Sequence, residues 1–303
     1  MAAKKNTVSE KDVKRFLSFA RKNPVAAGIL VLLVIGLIVW QGISEKRNAV
    51  TVPMDGLYVH YIDIGQGDAE LILCGGEAML IDGGEVDKGG ELCDYLRAQG
   101  VKKLDYMVCT HGHSDHCGGL DDVLDEFDVE TVFTSPYPGD KKAYQIFVEA
   151  VEEAGLSAEV PDMGTSFRLG EAEFMFIGPL EDYDDLNANS LVLRLTYGDT
   201  SFLFTGDMTS KAEKDLIEDG MNVKCDVLKV GHHGSSGSSC YQFLYEAEPK
   251  LAVISCETGN SYGHPHEEAL SRLRDCGAQI LRTDLSGSLV IFSDGMKLEG
   301  KTA

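Results

Sequence analysis

Thr110-His-Gly-His-Ser-Asp-His-Cys-Gly-Gly119 (THGHSDHCGG) decides how the rest of this chain is read. Three of the chain's eight histidines, His111, His113 and His116, fall in this stretch, and Asp115 stands directly before the last. Neutral imidazole nitrogens and carboxylate oxygens are both donors to divalent cations. A strand-like run, Leu104–Cys109, leads in, and the small residues Cys117-Gly-Gly119 lead out. On extended backbone His111 and His113 point the same way, because side chains alternate with a period of two. Asp115 and His116 fall past the strand end, in a turn, so one short loop can serve two adjacent cation positions.

Working outward, four more stretches end strands with residues suited to the same chemistry. Asp82 closes an apolar run before two glycines and suits a hydrogen bond to the histidine loop, fixing ligand tautomers. Thr205-Gly-Asp207 follows the apolar Phe202–Phe204, and a carboxylate there can give one oxygen to each of two cations. In Leu228-Lys-Val-Gly-His-His-Gly-Ser235 two histidines, His232 and His233, sit at a strand end, and one of them is read as a ligand. Ser235 and the backbone around Gly234 are placed to contact an anionic substrate. In Asn260-Ser-Tyr-Gly-His-Pro-His266, Pro265 stiffens the loop. His264 reads as a ligand or as a proton donor to a leaving group. His266, at a helix start, and His60, in the first strand, read as structural.

Around these motifs the chain alternates. Strands are expected at Gly56–Ile64, Ala69–Cys74 and Ala78–Ile81, then a helix from Lys88 to Gln99. The strand at 104–110, the histidine loop, a helix near 118–126, a strand from Val129 to Thr134 and a helix near 141–154 follow. From Ser166 to Phe204 the pattern is one of hairpins. Helices near 209–219, 239–246 and 266–275 then alternate with strands at 226–230, 251–255 and 279–282, and a hairpin spans 288–299. Strands alternating with helices, plus meanders, mean α/β with helices covering sheets.

Charge divides the chain. Of its 27 Lys and Arg and 49 Asp and Glu, nine and three lie in residues 1–50, which leaves 18 and 46, a balance of −28, over 51–303. Such a domain repels a polyanion at long range unless cations and a local basic patch intervene. Residues 24–43, PVAAGILVLLVIGLIVWQGI, carry no charge. At about 1.5 Å per residue they span a hydrocarbon core of roughly 30 Å. The reading is a basic cytoplasmic segment (1–23), a single-pass anchor in the cell membrane (24–43), a linker (44–55) and an extracytoplasmic domain (56–303). The basic excess before the span sets that orientation. All eight cysteines follow the span; several sit in apolar runs and read as buried thiols as readily as disulfides.

Together the HxHxDH pattern (111–116), the strand-final Asp82, the TGD (205–207) and a late histidine after a strand resemble the metallo-β-lactamase fold superfamily. GQGD (65–68), NxNS (187–190), LKVGHHGS (228–235) and YGHPH (262–266) resemble the extracytoplasmic hydrolase domain of ComEC-type competence proteins and its stand-alone relatives. The resemblance implies a four-layer αββα sandwich, here preceded by one transmembrane helix, with a two-metal site at one edge of the sheets. It implies two cations, Zn²⁺ or Mn²⁺. His111 and His113 would hold the first. Asp115, His116 and one of His232 or His233 would hold the second. Asp207 would bridge them, with Asp82, Asn189 and Ser235 around the ligands. Many members carry a further histidine between the HxHxDH loop and the bridging Asp. This chain has none between His116 and His232, which leaves the first cation fewer donors and weakly held.

The expected function is a membrane-anchored, metal-dependent hydrolase whose cations activate a water oriented by Asp115, with His264 or a metal-bound water protonating the leaving group. The expected substrate is a phosphodiester, single-stranded nucleic acid among them, and a separate membrane channel protein would be the partner in uptake. The alternatives are hydrolysis of a lactone, thioester or β-lactam, and a non-catalytic part of an envelope or DNA-uptake complex with a degenerate metal site.

Overall fold

Most strands in this chain bury both faces, and that requirement builds the layers. In β1 (Leu57–Tyr61), β2 (Glu70–Cys74) and β3 (Glu77–Ile81), alternate side chains such as Val59, Ile72, Met79 and Ile81 enter one core. Their neighbours Leu71, Leu73, Ala78 and Leu80 enter a second. Strands covered on both faces read as nearly continuous apolar runs. The computed structural model describes residues 51–139 and 141–302. The expected membrane span at 24–43 and the basic segment 1–23 lie outside the described residues. Among the described residues no helix is long and apolar enough to cross a membrane.

The first sheet has eight strands. To β1, β2 and β3 it adds β4 (Lys103–Cys109), β5 (Asp128–Thr134) and β6 (Ala158–Glu159). The second has seven: β7 (Ser166–Leu169), β8 (Ala172–Gly178), β9 (Val192–Tyr197), β10 (Thr200–Phe204), β11 (Val227–Lys229), β12 (Leu251–Ile254) and β13 (Gln279–Arg282). The chain then returns to the first sheet as β14 (Leu289–Ser293) and β15 (Leu298–Thr302). The orders are β15-β14-β1-β2-β3-β4-β5-β6 and β13-β12-β11-β10-β9-β8-β7. Each sheet changes from antiparallel to parallel part-way: β3 to β6 run parallel in one, β10 to β13 in the other.

Between the sheets lies an aromatic core in which Phe174, Phe176, Phe202 and Phe204 of the second sheet meet Tyr61, Ile81 and Val108 of the first. Burying a side chain of this size contributes about 1.5–3 kcal/mol. Helices Gly89–Ala98, Leu120–Glu126 and Lys142–Glu153 cover the outer face of the first sheet through Leu92, Leu96, Val123 and Phe147. Helices Ser210–Glu218, Tyr241–Ala247 and Glu267–Asp275 cover the second through Leu216, Leu244 and Leu273. The layers are therefore helix, sheet, sheet, helix, as expected. All eight cysteines are free thiols, six of them buried.

Elements the sequence pattern did not announce are the shortest ones: β6, the 3₁₀ turns Asn187–Asn189 and Gly231–Gly234, and the helix Thr283–Ser286. None is long enough to show a period. What they share with the site is position, because the carboxyl ends of parallel strands in an open α/β sheet are where ligands bind. Asp82 follows β3, the histidine loop follows β4, Asp207 follows β10 and the two histidines follow β11.

His60 belongs to the fold and not to the site. It is buried in β1, and its Nδ1 meets the Tyr95 hydroxyl at 2.9 Å. Burial pushes its pKa from 6.5 down to about 4. A histidine depressed in the folded state stabilises above its unfolded pKa, and that contribution disappears as pH falls through 6.5 toward 4. Wild-type protein should therefore lose about 2 kcal/mol more stability between pH 7 and pH 5 than His60→Leu. Urea unfolding of both at the two pH values measures the difference.

Candidate metal centre

The histidine loop does not continue the strand. β4 stops at Cys109, residues 111–113 bend, and Ser114–Cys117 make a single helical turn. His111 and His113 nevertheless converge, with Nε2 and Nδ1 3.1 Å apart. The bend needs Gly112, since a Cβ there would lie 1.9 Å from the carbonyl oxygen of Pro138. Opposite, the 3₁₀ turn after β11 holds His232 (φ 50°, ψ 48°) and His233 (φ 52°, ψ 26°) in left-handed conformations. Sparsely populated backbone of this kind costs roughly 1–3 kcal/mol per residue and persists where the surroundings enforce it. Here it turns two adjacent rings toward one carboxylate.

That carboxylate is Asp207, buried after β10. Its Oδ2 lies 3.9 Å from His111 Nε2 and 3.6 Å from His232 Nε2. Its Oδ1 lies 3.2 Å from His116 Nε2 and 3.5 Å from His233 Nε2. Asp115 Oδ2 joins the second set, 3.3 Å from His233 Nε2 and 4.0 Å from His116 Nε2. The structure therefore divides the histidine pair: His233 faces the group with Asp115 and His116, and His232 faces the Asp207 oxygen that is also nearest His111. The side expected to be short of donors has one from His232.

Hydrogen bonds from behind aim the rings. Asp82, itself left-handed (φ 57°), accepts from Thr110 N at 2.7 Å and from Thr110 Oγ1 at 2.6 Å, and contacts His116 Nδ1 at 2.8 Å. His116 is thus fixed with Nε2 toward Asp207. His233 Nδ1 donates to the Ser255 carbonyl at 3.0 Å. His111 Nδ1 has only hydroxyls behind it, Thr110 Oγ1 at 3.2 Å and Ser190 Oγ at 3.3 Å. Ser190 Oγ also accepts from Asp207 N at 3.0 Å, tying the two halves together.

The donors fit divalent cations. His116 Nε2, His233 Nε2 and Asp207 Oδ1 are buried with no hydrogen-bond partner, whereas buried polar atoms are almost always paired. With Asp115 they offer ligand atoms that all lie within 4.8 Å of one another. The charges agree. Burial disfavours a protonated ring, yet Asp207 and Asp68 outweigh it and raise His233 to about 10. His116 is likewise raised, against burial, by Asp207, Asp82 and Asp115. The carboxylates thus draw positive charge into this spot, and cations answer that demand.

Two sequence-based assignments change. Asn189 points away from the site: its amide bonds the backbone of Tyr183 at 2.9 Å in both directions, and so shapes a loop. The neighbouring Asn187 lines the cavity instead, its Oδ1 buried without a partner. Ser235 is occupied within its own turn, its Oγ accepting from Gly237 N at 3.3 Å, and it does not line the cavity. His264 does line it, half-buried and stacked beside Tyr262 with ring centroids 5.6 Å apart. Burial, then the neighbouring histidines, hold His264 down to about 4, so it is neutral at pH 7. A proton from this ring would have to come from a neutral N–H. His266 is structural as expected, Nδ1 accepting from Ser236 N at 3.0 Å.

The cavity over this centre measures about 620 Å³. Lys141 and Lys142, at the start of the helix Lys142–Glu153, line it together with His113 and Asp115. The sequence alone assigns this pair no role beyond the helix near 141–154.

The family model described as Metallo-beta-lactamase superfamily matches residues 62–258. The chain belongs to this superfamily. Among curated proteins it is 32% identical over 255 residues to ComE operon protein 3 of Bacillus subtilis, covering 76% of this chain and 32% of that one. It is 35% identical over 265 residues to Competence protein ComA of Neisseria gonorrhoeae, covering 86% and 34%. The chain thus spans about a third of the length of these relatives. Its relatives are competence-related, as the motifs indicated. Among solved structures, the metallo-beta-lactamase fold protein YhfI from Bacillus subtilis covers 82% of this chain and 100% of its own, with TM-score 0.52 and 12% identity. The diiron β-hydroxylase CmlA from Streptomyces venezuelae covers 82% and 54%, with TM-score 0.52 and 14% identity. These likenesses show the fold alone. The fold typically binds divalent metals, and the His and Asp groups described above are the candidates for that role here.

Gly112→Ala is expected to destabilise the domain by about 1–3 kcal/mol, because its Cβ must displace the Pro138 carbonyl. Urea unfolding measures the loss.

Proposed function

We propose that this chain is a metal-dependent phosphodiesterase acting on a polyanionic chain, single-stranded nucleic acid among them. The observation that carries the reading is the pair Lys141 and Lys142 at the cavity over the histidine cluster, in a domain that is otherwise strongly acidic. Among the described residues neither lysine forms an ion pair, so both charges are available to an incoming anion. Phosphate contacts of this kind provide affinity without sequence information. The competence-related names of the relatives support the same substrate class.

In this reading His111, His113, His232 and Asp207 hold one cation, and Asp115, His116, His233 and Asp207 the other. Zn²⁺ or Mn²⁺ there supplies Lewis acidity and a water of lowered pKa. The chain's own groups do the rest. Asp115, reaching the cavity beside His233, orients the attacking water. Lys141 and Lys142 neutralise the substrate's phosphates, and the Asn187 amide lies against its backbone. His264 presents a neutral N–H toward the leaving oxygen, as a neutral imidazole can in a cationic site. Anchoring through residues 24–43, with the domain outside the cytoplasm and a separate channel protein as partner in uptake, belongs to the same proposal.

With Mn²⁺ or Zn²⁺ added, the purified chain should hydrolyse a phosphodiester reporter or single-stranded DNA, and His116→Ala should lose at least about 10²-fold in kcat/KM. Failure on every phosphodiester, alongside turnover of a lactone or β-lactam, would sink the substrate class. The double variant Lys141→Ala/Lys142→Ala should raise KM with kcat nearly unchanged and flatten the salt dependence of KM. Kinetics on an oligonucleotide at two salt concentrations checks this.

A further inference from the structure

Beneath the second cation group lies an ion pair that the proposed reaction does not use. Lys229, in the middle of an apolar strand run, and Asp68, at the end of the GQGD turn, are both 1% exposed, and Lys229 Nζ donates to Asp68 Oδ2 at 2.5 Å. The partners are 161 residues apart, Asp68 in the loop between β1 and β2 of the first sheet and Lys229 at the end of β11 in the second. The other oxygen, Asp68 Oδ1, is 3.3 Å from His233 Nδ1 and has no hydrogen-bond partner. The turn that carries Asp68 is pressed against the histidine loop: Asp68 N donates to Asp115 O at 3.1 Å, and Gly84 N donates to Asp68 O at 2.9 Å. A Cβ at Gly67 would lie 2.4 Å from Asp115 O.

This completes a pattern. His116 has the Asp82 carboxylate hydrogen-bonded at Nδ1, and His233, whose Nδ1 donates to the Ser255 carbonyl, has the Asp68 carboxylate as a charged neighbour 3.3 Å from the same nitrogen, whereas His111 has only hydroxyls. A carboxylate behind a ligating imidazole fixes the ring and makes its other nitrogen a better donor. Asp68, Asp82 and His116 also offer atoms close enough to suit a cation of their own. The Lys229 ammonium already sits against Asp68 there, so this cluster reads as support for the neighbouring group.

We propose that Asp68, held in place by Lys229, is the positioning carboxylate for His233, and that it makes the Asp115–His116–His233 group the tighter of the two cation sites. The inference rests on the metal assignment above but not on the substrate. Lys229 has two tasks. It holds Oδ2, which leaves Oδ1 toward His233, and it supplies the counter-charge without which a further buried carboxylate would be costly.

The test is titration of the full chain with Co²⁺, followed by calorimetry and visible absorption, with no substrate present. Wild type should show two binding events of different affinity. Asp68→Asn should weaken the tighter event by about 10–100-fold, change its Co²⁺ spectrum and leave the other event in place. In Lys229→Met/Asp68→Asn the ion pair is replaced by neutral groups, so the fold is kept even where the single variant unfolds. That double variant should bind its tighter cation as weakly as Asp68→Asn. Restored wild-type affinity in the folded double variant, or unchanged affinity in Asp68→Asn, makes the pair structural only and overturns the proposal. Fewer than two events in wild type overturns the metal assignment itself, and this proposal with it. Absence of phosphodiester hydrolysis touches neither.

Discussion

Asp207 is the one side chain that both cation groups share, and its placement constrains everything around it. Each oxygen faces a different set of rings, so the carboxylate must be held rigidly between them. Rigidity comes from Ser190 on its backbone N–H and from its position directly beyond β10, whose phenylalanines are locked in the inter-sheet core. The histidine loop meets it from the first sheet and the His232–His233 turn meets it from the neighbouring β11. A sandwich whose two sheets both end at this edge is thus what lets five chain segments meet. The aromatic core acts on the chemistry only through this geometry.

The architecture was legible because it rests on long signals. Runs such as Phe202–Phe204 and Leu71–Leu73 are apolar at every position, which only a doubly covered sheet requires, and the helices repeat over two or three turns. The ligand loop was legible because three histidines and an aspartate in so short a span have few other uses. Asp82 was legible because a carboxylate at a strand end before glycines needs a partner.

What escaped reading is what backbone conformation alone decides. Nothing in HHG says that two consecutive non-glycine residues adopt positive φ, and without that fact only one of the two rings reaches the centre. The same holds for NANS: in a 3₁₀ turn Asn187 faces the cavity and Asn189 faces Tyr183, a choice that spacing cannot make. Lys229 did leave a signal. A lysine between Leu228 and Val230 in a buried strand must find a carboxylate, although sequence cannot say that the carboxylate is Asp68.

Net charge alone does not decide what this site can accept. A balance of −28 over residues 51–303 argues against an anionic substrate only if every charge counts equally. It does not, because at physiological salt the field of an exposed charge falls off over about 8 Å. Most of the acidic residues are spread over the surface and are heard faintly at the cavity. Lys141 and Lys142 line it. The carboxylates closest to the centre, buried Asp68, Asp82 and Asp207 and half-buried Asp115, are answered by Lys229 and by the positive charge of the rings. With two divalent cations held as proposed, they and the Lys229 ammonium would exceed four carboxylates by one positive charge. On the proposed metal assignment the centre would be the place on an acidic domain where an anion is welcome.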